Sequence, residues 1–215
     1  MSASNSPLRV GLPLWFFFIE IIAIAILVPS SWTENTIRSE SQWIRARMGR
    51  ESAVWIETTA ARWYNRVVVE TGFLNAAYRH LLPSEAEKKR SRGLEHLGEK
   101  VYFPYIEARL NVFFYTVYQL FARLALLIAW LPFLLIVAVP AVMDGMLSRR
   151  IRRLTFAYNS PLVHGCAAAA VMYAAVLLFL SLFAPVAVPP EFFPIVLSTI
   201  ALAAAFMSAH APKRI

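Results

Sequence analysis

Few side chains in this chain have the type and surroundings to do chemistry, and most of them stand in or beside apolar runs. Glu20 is the one acid within Leu12–Val28. A carboxylate at membrane depth costs roughly a few kcal/mol unless it is paired or protonated. Glu20 is therefore a candidate for handling a proton or a substrate, or for a hydrogen bond across a bundle to His164 or His210. Asp144 closes another apolar run, and Arg149, Arg150, Arg152 and Arg153 follow it. The histidines, His80, His96, His164 and His210, have no metal-ligand spacing. The single cysteine, Cys166, cannot form an intrachain disulfide and is expected to be a small buried packing residue. There is no glycine-rich phosphate loop, nucleophile elbow or HExxH motif. We expect no metal, no cofactor and no enzymatic activity.

Asp144-Gly145 with Ser148-Arg149 is the nearest approach to an enzyme motif, because it resembles the centre of the metal-binding signature of CDP-alcohol phosphotransferases. That signature needs an acid where Ala141 stands, and a glycine and two acids where Tyr158, Leu162 and Cys166 stand. One carboxylate cannot hold two metal ions. The four arginines offer a different chemistry. On a helix flank with Ile151, Leu154 and Phe156 they would attract anionic lipid by about 1 kcal/mol each, or dock an acidic cytoplasmic partner.

The elements that position these residues follow from hydropathy. Leu124–Met143 is an uncharged apolar run of 20 residues, which as a helix rises roughly 30 Å, the thickness of a bilayer core. The chain has 215 residues, 59% hydrophobic and 16% charged, and a mean hydropathy of +0.55. Soluble domains usually carry about 25% charged residues. The run Leu12–Val28 is long for a signal peptide, and Trp15 and Trp32 flank it as interface anchors, so we read an uncleaved first span. Cys166–Val188 and Phe192–Met207 are two further runs, joined through Pro185, Pro189, Pro190 and Glu191 as a tight hairpin. Their alanine stretches, Ala167–Ala170 and Ala201–Ala205, allow close helix packing in lipid.

Residues 31–123 are different material. Residues 31–110 hold 13 Lys/Arg and 10 Asp/Glu, interleaved. Ser31-Trp32-Thr33-Glu34 and Ser84-Glu85-Ala86-Glu87 match capping boxes. The first opens a helical pattern reaching about Leu82, which Gly49 and Gly72 would bend or break. The basic run Lys88–Arg92 follows the second. A stretch opening at Pro104 should run on into the Leu124 span, with Arg109 and Arg123 at or outside the interface and its aromatics packed on each other or on lipid headgroups.

The fold class expected is thus an all-α membrane protein: four transmembrane helices, with a helical extramembrane (periplasmic) domain between the first and second. The divisions are 1–30 (N-terminus and first span), 31–123 (outer domain), and 124–215 (three spans with a basic cytoplasmic loop at 144–165). Arg9, the four arginines, Lys213 and Arg214 fall on one side, and the turn between the last two spans has no Lys or Arg. The positive-inside rule makes that side cytoplasmic, N-in and C-in. Segments beyond about 60 residues translocate largely regardless of charge, so the basic residues of 31–123 do not oppose this. The net charge of +8 serves topology, and no direct nucleic-acid contact is expected.

The outline as a whole resembles a family of small membrane proteins encoded in integrating conjugative elements. The likeness rests on the single N-terminal span, the charged Trp/Arg/Glu-rich domain, Pro140-x-x-x-Asp144-Gly145, the Arg-Arg-x-Arg-Arg segment, and Asn159–His164 leading into a terminal hairpin. The resemblance implies a part in conjugative DNA transfer at the bacterial inner membrane, beside a type IV secretion system and its coupling ATPase. It brings no catalytic residues. The expected partners are membrane lipids and other conjugation or secretion proteins, and an oligomer is compatible with the sequence. A second reading, a small transporter or channel subunit using Glu20, has only that one acid in its favour; Pro132, Pro140 and Pro185 are not placed as paired broken helices.

Overall fold

The computed structural model describes residues 27–81, 103–155 and 160–211. Outside them lie Glu20, nearly all of the first span, the second capping box with its basic run, and His96. The described residues are helical: α1 Ser30–Met48, α2 Arg50–Tyr64, a π-helical turn Asn65–Val69, α3 Phe73–Leu81, α4 Phe103–Leu154, α5 Pro161–Phe183 and α6 Phe192–Ala209. They fall into two compact units. Met1–Arg123 with Phe183–Ala187 is one, and Leu124–Leu182 with Val188–Ile215 is the other.

In the first unit the helical pattern breaks where the glycines stand. Gly49 has φ 88° and Gly72 has φ 75°, a region that side chains with a Cβ rarely adopt. Gly49 folds α2 back on α1, and Ile44, Ala53, Ile56 and Ala60 become buried. Across the hairpin Ser41 Oγ donates to Glu57 Oε1 at 2.6 Å, and Arg45 Nη2 donates to both carboxylate oxygens at 2.9 Å. The capping box at Ser31–Glu34 does not form. α1 begins two residues earlier, with Pro29 rather than Ser31 as its cap and no side-chain capping bond; the Trp32 amide bonds to Pro29 O, and Glu34 turns to Arg38 at 2.6 Å. The expected aromatic packing is present: Phe73 meets Phe113 and Phe114, and Tyr64 meets Tyr118, at centroid distances of 5.9–6.3 Å.

α4 starts at the Pro104 signal and runs 52 residues without interruption through Pro132 and Pro140. It passes well beyond Met143. Residues 144–154, the first part of the expected cytoplasmic connection, are helical, as expected for the arginine flank, and continue the span without a break, so the arginines occupy the last turns of α4. The reason is local: arginine is a good helix former, and no second breaker follows Gly145 before Leu154.

The second unit holds the rest of α4 with α5 and α6. α4, α5 and α6 are each long and apolar enough to cross a membrane. Within the most apolar stretch of α4 only 6% of residues are buried inside the protein, and Ile136 is 73% exposed. Soluble monomers rarely leave so large an apolar surface uncovered. α5 starts at Pro161, five residues before the expected start of its run, and ends at Phe183, so Pro185–Val188 belong to the connection. Cys166 is exposed on α5, contrary to the expected buried position. It lies near the start of an almost uniformly apolar helix. The two terminal helices do form the hairpin: His164 Nδ1, in the first turn of α5, lies 2.9 Å from Met207 O near the end of α6. The alanines serve close approach. A Cβ added at Gly145 would stand 2.6 Å from Ala205 O, and Ala201, Ala203, Ala205 and Ala209 are buried.

Candidate functional site

The most highly constrained polar group in the first unit is Arg123, the last residue before the apolar run, and it is 1% exposed. Its Nη2 donates to Glu40 Oε1 at 2.6 Å and its Nε to the same oxygen at 3.1 Å. Nη1 donates to Ala184 O at 2.9 Å, and Nη2 also reaches Val186 O at 2.7 Å. The fork of one guanidinium thus holds α1, α4 and the α5–α6 connection together. Trp32 Nε1 adds a bond to Pro185 O at 2.6 Å, with Thr36 Oγ1 more distantly on the same carbonyl at 3.5 Å. Arginine suits this place because its planar fork can satisfy a carboxylate and two carbonyls at once. Arg123, expected at or outside the membrane interface, is enclosed by protein and neutralised by Glu40.

Higher on the same helix Arg109 Nη1 donates to Val28 O at 2.9 Å, and its guanidinium lies 4.7 Å over the Tyr105 ring. Val28 therefore meets Arg109, and Glu40 meets Arg123, so the chain through α1 runs in the same direction as α4. Six of the buried polar residues fall into two matching rows. Thr33, Thr36 and Glu40 on α1 and Thr116, Gln119 and Arg123 on α4 are all under 9% exposed. Both rows have the spacing i, i+3, i+7, one face of a helix. The sequence carried this signal, T-x-x-T-x-x-x-E and T-x-x-Q-x-x-x-R, and periodicity of apolar residues alone passes over it.

In the second unit the structure gathers some of the candidate residues and separates others. Asp144, Ser148 and Arg152 follow one another at i, i+4, i+8 and line a cleft of about 170 Å³, closed by Ala205, Phe206 and Ala209 of α6 and by His210 just after it. Arg149 is half-buried, with Nε unpaired among the described residues, and Arg150 is exposed. Arg153 lies in α4, and its side chain falls outside the described set. His164 and His210 both spend Nδ1 on α6 carbonyls, those of Met207 and Phe206. Among the described residues no three His, Cys, Asp or Glu side chains cluster as metal ligands would. Along α4 Asp144 shares the cleft with the Ser148 hydroxyl and the Arg152 guanidinium, and His210 stands across from them.

The comparisons with known proteins bear on the chain as a whole. No curated protein and no solved structure matches it. The model of one family, described as IncC plasmid conjugative DNA transfer protein DtrJ-like, matches residues 26–212. That match takes in all six helices, the Arg123 fork and the basic end of α4, and by it the chain belongs to the DtrJ-like family of conjugative DNA transfer proteins.

Proposed function

We propose that the protein acts in conjugative DNA transfer as a non-enzymatic scaffold of the bacterial inner membrane. It crosses the bilayer four times, N-in and C-in, with residues 31–123 in the periplasm. The arginines at 149–153 face a cytoplasmic partner, the coupling ATPase of a type IV secretion system, and anionic lipid. Its home in an integrating conjugative element follows from the resemblance drawn from sequence.

The observation that carries the proposal is the continuity of α4. One helix bears the Arg123 fork just before the apolar run and the arginines just after it. A helix of 52 residues is about 78 Å long at 1.5 Å per residue, more than twice what a bilayer core requires, so polar surface is left at both ends. The turn between α5 and α6, expected on the periplasmic side, is bonded to Trp32 and Arg123 of the outer domain's unit. That agrees with a shared side for both.

Replacing Arg149, Arg150, Arg152 and Arg153 with alanine should lower conjugation frequency at least tenfold while the protein stays at its normal level in the membrane fraction. Undiminished transfer would refute the docking role. Reporter fusions at Trp55 and Arg150 should fall on opposite sides of the membrane.

A further inference from the structure

A cleft of about 460 Å³ opens in the first unit between α1, α3 and α4. Its volume lies in the range of ligand-binding clefts. Aromatic rings dominate its wall. Tyr78 stacks on Phe114 with ring centroids 5.9 Å apart and planes 8° from parallel, and Tyr64 stands edge-on to Tyr118 at 5.9 Å. Tyr115, 38% exposed, completes the set.

The polar groups in the cleft include several free donors. The phenols of Tyr64, Tyr115 and Tyr118 make no hydrogen bond among the described residues, so each has an O–H to give. Asn111 has its Oδ1 occupied by the Tyr78 hydroxyl at 2.7 Å, which leaves its two N–H donors. The carboxylate at the rim, Glu34, is already held by Arg38 at 2.6 Å. Burial first, then the neighbouring Tyr78 and Tyr115, raises the Tyr64 phenol above its ordinary 10.0.

We propose that this tyrosine-lined cleft binds an extended, proline-rich segment of a partner protein. Proline carries a carbonyl acceptor and no N–H, so a run rich in it presents carbonyl acceptors that the free phenol and Asn111 donors can meet. Its pyrrolidine rings pack on aromatic faces, and its polyproline II form is already extended, which reduces the ordering cost of binding. The site is separate from the arginines of α4 and does not depend on their role.

The test uses the full-length protein in detergent micelles, titrated with fluorescent twelve-residue peptides having proline at every third position and varied residues between. At least one peptide should bind saturably. Tyr64→Phe with Tyr118→Phe, which keeps both rings, should weaken it about tenfold with an unchanged Tm. The variant with the four α4 arginines replaced should bind as the wild type does, so failure of the docking role and failure of this site are read separately. Binding by none of the peptides, equal binding by the double Phe variant, or binding of an N-acetylglucosamine disaccharide in place of the peptides would overturn the proposal.

Discussion

Glu40 and Arg123 meet at 2.6 Å with side chains 9% and 1% exposed, and the same guanidinium holds two carbonyls of the α5–α6 connection. Removing one partner of a buried ion pair leaves an uncompensated charge, at a cost of about 3–5 kcal/mol. We expect Arg123→Ala or Glu40→Ala to lower the Tm markedly, measured by thermal unfolding in detergent. The double variant should lose less than the sum of the two. Arg123→Lys should behave much like Arg123→Ala, because an ammonium cannot span a carboxylate and two carbonyls in the geometry of the fork.

Arg45 and Glu57 give the contrasting case. The pair is bidentate, but the side chains are 55% and 33% exposed. Solvent screening limits such a pair to about 0–1 kcal/mol. Arg45→Ala should shift the Tm slightly, and raising the salt concentration should shrink the difference. A loss as large as that of Arg123→Ala would contradict the exposure argument.

Gly145 and Gly49 should respond to alanine for different reasons. At Gly145 a Cβ would sit 2.6 Å from Ala205 O and 2.9 Å from Ala205 Cα, so α4 and α6 must separate, at about 1–3 kcal/mol as for overpacking. The atoms met are backbone, so Ala205→Gly should not rescue the variant. At Gly49 nothing lies within 4 Å, and φ of +88° is the whole penalty, about 1–2 kcal/mol. Unfolding of the single and double variants separates the two cases.

His164 ties the ends of the terminal hairpin through its contact with Met207 O at 2.9 Å. His164→Phe keeps the ring volume and removes the bond. We expect a loss of about 0.5–1.5 kcal/mol. Cysteines placed at 164 and 207 in a Cys166→Ser background should crosslink with a short thiol reagent; no crosslink would show that the hairpin does not close there.

What the sequence by itself determined was largely what depends on counting along the chain. The apolar runs at Leu124, Cys166 and Phe192 gave helices long enough to cross a membrane, because lipid demands length and lack of charge, and both are local properties. Gly49 and Gly72 were legible as break points, and Pro104 as a helix start, since backbone preference is also local. The capping box failed because the hydroxyl–amide bond competes with other partners: Glu34 found Arg38, and the chain enters α1 from Pro29. The helix expected for the arginines proved continuous with the span, which composition does not reveal, because Asp144-Gly145 can either end a helix or lie within one.

Only the tertiary structure decided which charges are buried. Arg123 looks from sequence like any other basic residue beside a span, as Arg109 and Arg149 do. Its burial depends on Glu40, 83 residues away, and on two carbonyls that come within reach only once α5 and α6 have turned back. Likewise Asp144 and Arg152 share a cleft with His210 because Gly145 lets α6 approach. Hydropathy is summed along the chain and can be read there. A hydrogen bond between distant residues is set by packing, and the order of residues alone does not determine it.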